Sequence, residues 1–164
     1  MKKKMLSFGM VVAMTLSMLV VSGVQVQASD NLPMIDGSYL THDEESTGCS
    51  TGNARGEYLM TGYSKGVRLD AGVFYAGGTT IAAQTVERVG VGVIVERALE
   101  DDEEWSFYDC WEKFNENADR VGSNKRLEVE GGYYYRVRCF HSANSDLSSS
   151  FTDGVYIEEP SLIP

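Results

Sequence analysis

Histidine is scarce in this chain, with two in 164 residues; cysteine is nearly so, with three, and cations are outnumbered, with 14 Lys and Arg against 24 Asp and Glu. Each shortage excludes something. A net charge of −10 leaves no surplus of Lys and Arg to neutralise phosphates, which argues against nucleic acid and anionic lipid surfaces as partners. Two histidines leave little from which to assemble a nucleophile, a base and an orienting group. Three cysteines cannot all pair within one chain, and no cysteine stands at the end of the N-terminal apolar stretch to accept a lipid. No window sustains a helical 3.6-residue period over three turns, so a helical domain is excluded as well.

What is present begins with a leader. Lys2, Lys3 and Lys4 precede an apolar core from Met5 to about Val21, and Val26-Gln27-Ala28 places small residues where a signal peptidase reads. Residues 1–28 are expected to be a cleaved signal peptide and the product to be secreted, with no stable membrane insertion afterwards. The remaining length, about 136 residues, is that of a single domain. Residues 29–55 are rich in Asp, Ser, Thr, Gly and Glu and include His42; they predict a flexible acidic lead-in. A β domain is expected over 56–159 and a short tail over 160–164.

Within that domain the chain reads as short extended segments broken by Gly, Asn and Asp. The clearest is Arg88–Ala98, where Val89, Val91, Val93 and Val95 form one β-branched face. Further strands are expected at Glu57–Lys65, Gly72–Gly77, Thr79–Thr85, Trp105–Phe114, Lys125–Glu130, Tyr133–His141 and Phe151–Glu158, with Glu100–Glu104 a solvated turn. About seven strands at regular spacing predict an all-β antiparallel sandwich.

The run Leu127-Glu128-Val129-Glu130-Gly131-Gly132-Tyr133-Tyr134-Tyr135-Arg136-Val137-Arg138 resembles strand E, turn and strand F of fibronectin type III or immunoglobulin-like domains. The resemblance implies a corner tyrosine at Tyr133 and inward Tyr135, Val137 and Cys139; a clear Trp in the second strand is missing. The chain after the leader is also similar to a family of small secreted proteins of Gram-positive bacteria that has no assigned function. That similarity is carried by Ile35-Asp36-Gly37-Ser38, Gly56–Ser64, Gly132–Arg138 and Ser150–Gly154. It implies export and a shared fold, and carries over no catalytic or ligand residue.

Strand Arg88–Ala98 should pair with Tyr133–His141, leaving Gly90, Gly92, Ile94 and Glu96 outward beside Tyr134, Arg136, Arg138 and Phe140. Strand Trp105–Phe114 should lie on the other side, with apolar residues on both faces. Either Tyr108 and Cys110 point in and Trp105 and Trp111 extend an outer aromatic face, or the tryptophans are core. Trp105, Trp111, Tyr134, Arg136, Arg138 and Phe140 are therefore the candidate ligand-binding residues. Cys110 and Cys139 would flank a third strand, about 9 to 10 Å apart, too far for a disulfide. His141 and Cys139 share a face but no third ligand accompanies them, and Glu100–Glu104 lacks the glycine and alternating oxygens of a calcium loop; neither a metal nor another cofactor is implied. The function these residues point to is a non-catalytic module binding a cell-envelope or environmental glycan, or a protein. The alternatives are a structural protein that self-associates through an edge strand or Cys49, and a small hydrolase.

Overall fold

The computed structural model describes residues 32–50 and 56–161. The expected leader, the first residues of the lead-in, the segment 51–55 and the last three residues of the tail lie outside the described residues. Among the described residues nine strands run in chain order: β1 Met34–Ile35, β2 Ser38–Thr41, β3 Glu45–Cys49, β4 Leu59–Asp70, β5 Val73–Ala98, β6 Ser106–Glu128, β7 Tyr133–Ala143, β8 Asp146–Phe151 and β9 Gly154–Ile157. The class is all-β, and no described helix is long and apolar enough to cross a membrane.

β5 and β6 form one long hairpin across the acidic turn that follows Ala98, and its register shifts twice, once near that turn and once at mid-length. Residues Ala82–Thr85 have no partners in β6 between the pairs Ile81↔Arg120 and Val86↔Ala118, so the hairpin bends there. The two halves of β5 consequently take different neighbours: Val73–Ala82 pairs with β4, and Val89–Ala98 pairs with β7. The expected pairing of Arg88–Ala98 with Tyr133–His141 is found, as is the flanking strand beginning near Trp105. The separately expected strands at 72–77, 79–85 and 88–98 are one element, β5, and 105–114 and 125–130 are the two ends of β6. Turn residues inside these stretches did not terminate them, because pairing held the backbone extended: β5 has a neighbour on each side along most of its length, and β6 follows β5.

The sheet order is β1-β2-β9-β7-β5-β4-β3, with β6 beside β5 and β8 beside β7. It curls until β3 and β4 lie over β7 and β8: a Cβ on Gly62 would overlap the His141 ring, and one on Gly48 the carbonyl of Phe151. Inside the curl, Val89, Val91, Val93, Val95, Val137 and Cys139 are all buried with Phe74 and Tyr135. Each buried valine stabilises the fold by roughly 1.5 kcal/mol or more. The hydroxyl that reaches back to the preceding turn is that of Tyr135, not Tyr133, and it donates to the Glu130 carbonyl at 2.8 Å.

Two expectations are corrected. The sheet is mixed, since β2 runs parallel to β9 through Leu40↔Gly154 and Thr41↔Val155. Residues 32–50, expected to belong to a flexible lead-in, carry β1, β2 and β3. Their composition is polar, but Ile35 and Leu40 land on an apolar patch of Ala98, Tyr134, Trp105 and Tyr156. Asp36 and Gly37, both at positive φ, make the two-residue turn that pairs Ile35 with Ser38. Ser38 donates to the Thr152 carbonyl at 2.8 Å, and Ser46 accepts from the Asp153 amide at 3.0 Å. Order here comes from the surface that the segment lands on, and composition alone carries no trace of that surface.

All three cysteines are free. Cys110 pairs across to Ile94 and Cys139 to Val93, so β5 separates them as expected.

Candidate functional site

β6 carries a bulge that decides its faces. Val95 pairs with Asp109 and Glu96 with Phe107, so Tyr108 is an extra residue and the alternation of side chains slips by one. Trp105 and Trp111, an even number of residues apart, therefore end on opposite faces, which neither arrangement expected from the pattern had allowed. Trp111 packs against the inner core, donates from Nε1 to the Ser123 hydroxyl at 3.1 Å and lies under the Lys125 ammonium at 4.3 Å. Trp105 lies on the outer side, where its Nε1 donates to the Ile35 carbonyl at 2.8 Å.

The outer face of β7 is divided in two. Over its first half, β1 and β2 cover Tyr134 and Arg136. The Arg136 guanidinium is 2% exposed and fully engaged: Nε donates to Glu96 at 2.8 Å, one terminal nitrogen to Asp36 Oδ2 at 2.9 Å, and the other to Ser38 Oγ at 3.1 Å and the Asp36 carbonyl at 3.2 Å. The Trp105 ring lies 4.7 Å from the guanidinium carbon. Arg136 holds the Asp36 carboxyl below the usual carboxylate range, by hydrogen bond first and charge second. Arg138 shares the other oxygen of Glu96. This cluster fastens the N-terminal strands to the sheet and buries Tyr134 and Arg136, while Trp111 lies on the opposite face, so Tyr134, Arg136, Trp105 and Trp111 do not form one open binding row.

Arg138 and Phe140 belong to the second half, which is open. Four strands place their outward residues in rows: Cys110, Ile94, Arg138 and Phe151; then Glu112, Gly92, Phe140 and Ser149; then Phe114, Gly90, Ser142 and Leu147. Phe107 stands beside Glu96 in the row that precedes these, two-thirds exposed. Phe140, Phe151, Leu147 and Phe114 are also exposed. At Gly92 a Cβ would have the Phe140 Cβ as its nearest neighbour, at 3.9 Å, so the floor beside Ile94 and Phe107 is open and forms a depression of about 270 Å³. Arg88 lies 3.9 Å over the Phe114 ring at the far end. Phe107, Phe114, Leu147 and Phe151 were not among the candidate residues. Their alternation signal was hidden by the Tyr108 bulge in β6, and in β8 by the shortness of the strand.

The inner face holds the pair Cys139 and His141, and it is enclosed. His141 is 1% exposed, with Nδ1 2.8 Å from the Thr80 hydroxyl and Nε2 2.8 Å from the Ser150 hydroxyl. Thr80 donates its own proton to the Gly90 carbonyl, so it accepts from Nδ1–H, and Ser150 donates to Nε2. Burial pushes the imidazole down to about 4 and the Cys139 thiol up to about 12. At neutral pH both groups are uncharged, and neither ring nitrogen is free to take a substrate proton. Among the described residues no three His, Cys, Asp or Glu side chains are grouped to hold a metal ion. His42, expected in a mobile segment, packs against Tyr156 and Tyr134 at ring-centroid distances of 4.8 and 5.8 Å. In the acidic turn, Asp102 accepts from the Leu99 amide at 2.8 Å.

Comparison with protein-family models, with curated proteins and with solved structures found no match for this chain.

Proposed function

We propose that the chain is a secreted, non-catalytic binding module that docks a protein partner through the open outer face of β6, β5, β7 and β8. The observation that carries this reading is the cluster of exposed Phe107, Phe140, Phe151 and Leu147 around the uncovered floor at Gly92 and Ile94. Contiguous apolar surface of this kind marks interaction sites rather than ordinary solvent-facing sheet. The exposed phenylalanines and Leu147 offer no hydrogen bonds and Glu112, Arg138, Ser142 and Ser149 stand between them, a mixture that suits a protein partner's apolar side chains with their polar border. A net charge of −10 opposes stacking of two copies and favours a different protein.

Export rests on the order of Lys2–Lys4, the apolar core and Val26-Gln27-Ala28. The sandwich reading and the kinship with fibronectin type III or immunoglobulin-like domains belong to the same proposal, supported by the Tyr135 corner and the curl of β4 over β7. Kinship with the secreted Gram-positive family rests on the four sequence runs alone. The enclosed, neutral His141 and Cys139 support the non-catalytic reading.

The test is photo-crosslinking of the exported protein with a benzophenone-bearing residue at Phe140 and, as a control, at Leu69. A protein adduct at position 140 and none at 69 supports the proposal, and so does an exported chain whose sequence begins at Ser29. An adduct to a second copy favours self-association instead, and no adduct at position 140 overturns the docking face.

A further inference from the structure

A second outward surface lies on the other half of the hairpin. Where the first half of β5 passes between β4 and β6, the row Thr47, Lys65, Gly77 and Asn124 faces outward, next to a row with Tyr63, Thr79 and Gly122. Their inward neighbour Gly78 establishes the sense of the alternation, because a Cβ there would collide with Cys139 Sγ in the core. Tyr75 stands one row further along on the same outward face. Between Tyr63 and Tyr75 is a groove of about 290 Å³.

Three features of the groove bear on what it can hold. Its floor has no side chains at Gly77 and Gly122, and a Cβ at Gly122 would find only Thr79 Oγ1 at 3.3 Å and the Gly78 carbonyl at 3.7 Å. Its end walls are tyrosines: Tyr63 is exposed, and the Tyr75 hydroxyl leans to within 3.2 Å of the Cβ position of Gly77. Its sides carry the hydroxyls of Thr47 and Thr79 and the amide of Asn124. Among the described residues of the lining Lys65 is the one that is charged, and its ammonium lies 2.9 Å from Glu45 Oε2.

The geometry points to a binding site for a neutral saccharide in this groove, separate from the apolar docking face. A sugar ring has an apolar C–H face and a rim of hydroxyls, matching tyrosine rings with a hydroxyl and amide border. Tyrosine adds contact area with little loss of rotamer freedom. Charge disfavours the anionic alternatives: the cation among the described lining residues is already matched by Glu45, and the whole chain is acidic. The pairs Tyr63↔Thr79 and Tyr75↔Arg126 are four residues apart along β5, about 13 Å, which with the tyrosine rings leaning in leaves room for roughly one or two pyranose rings.

The exported full-length product is titrated with cellohexaose, chitohexaose, maltohexaose and mannohexaose, with polygalacturonate as the anionic control, and read by saturation-transfer NMR. Saturable binding of at least one neutral oligosaccharide is expected. Tyr63→Ala and Gly122→Ala should each weaken it about tenfold or more with an unchanged melting temperature. The double variant Phe107→Ser/Phe140→Ser should bind as wild type does, which separates this site from the docking face. The assignment is overturned by no saturable binding of any neutral oligosaccharide up to roughly 10 mM. It is equally overturned by binding that survives both groove variants, by loss in the phenylalanine variant instead, or by preference for polygalacturonate.

Discussion

Tyr134 and Arg136 share the outer face of β7 with Arg138 and Phe140, and their surroundings are opposite. The first pair is covered by β1, β2 and Trp105; Phe140, four residues beyond Arg136, is half exposed beside a bare glycine floor. Strand alternation treats the four alike, since it says which side of the sheet a residue faces and nothing about what lies on that side. The cover comes from a segment about a hundred residues away in sequence, held by the ion pairs of Arg136 to Asp36 and Glu96. One end of a strand face thus became a small core with a buried charge, and the other stayed a surface.

The sharpest contrast to test lies across β5, where Cys110 is exposed and Cys139 is enclosed with its thiol pushed up to about 12. Cys49 and Cys110 should react with a disulfide reagent promptly, and Cys139 at least roughly 10³-fold more slowly, waiting for the fold to open. Equal rates would mean that the inner face is not closed. Next in size is Glu96→Ala, which leaves Arg136 buried beside a lost partner. Urea unfolding should show a loss of about 3–5 kcal/mol, the usual consequence of breaking a buried pair from one side. A loss near zero would show that β1 and β2 do not exclude water from that half of the face.

His141 extends the comparison to the inner row. Burial holds its folded pKa near 4, below the ordinary 6.5, so the unfolded chain takes up the proton first as pH falls. Its contribution to stability is complete above about 6.5 and is lost progressively toward 4, roughly 3 kcal/mol in all. Stability measured against pH for wild type, minus that for His141→Gln, isolates this contribution from the carboxylates. A flat difference between pH 4 and 6.5 would mean that the ring is hydrated.

How far the sequence could be read follows the same division. The valine alternation in Arg88–Ala98, its pairing with Tyr133–His141 and the separation of Cys110 from Cys139 were legible, because each depends on local period and neighbour order. The faces of β6 were not, since one extra residue at Tyr108 reverses the parity of everything before it and leaves no mark in a segment apolar on both sides. Nor was the covering of Tyr134 and Arg136, which depends on where Ile35 and Leu40 land. A partial clue was there in Asp36-Gly37, the residue pair most favoured in a two-residue hairpin turn, at the head of a segment whose polarity suggested no order. The open face could be only half anticipated, because Arg138 and Phe140 were recognised while Phe107 and Phe151 required the register of β6 and β8.

The smallest expected effect on stability is the one that bears most on function. Phe107→Ser with Phe140→Ser removes two rings that solvent already reaches, so unfolding free energy should change by no more than about 0.5 kcal/mol per site. Tyr134→Ser, on the covered half of the same face, removes a ring packed on Ile35, Leu40 and Ala98 and should lose about 3 kcal/mol or more. Partner crosslinking from a benzophenone-bearing residue at Leu147, exposed on the same face, should behave in the reverse order, abolished by the exposed pair. If the phenylalanine variant instead proved markedly less stable, those rings would be part of the core of the folded chain. Rings that stability does not need are free for the proposed docking, and the pair of measurements separates that case from a role in packing.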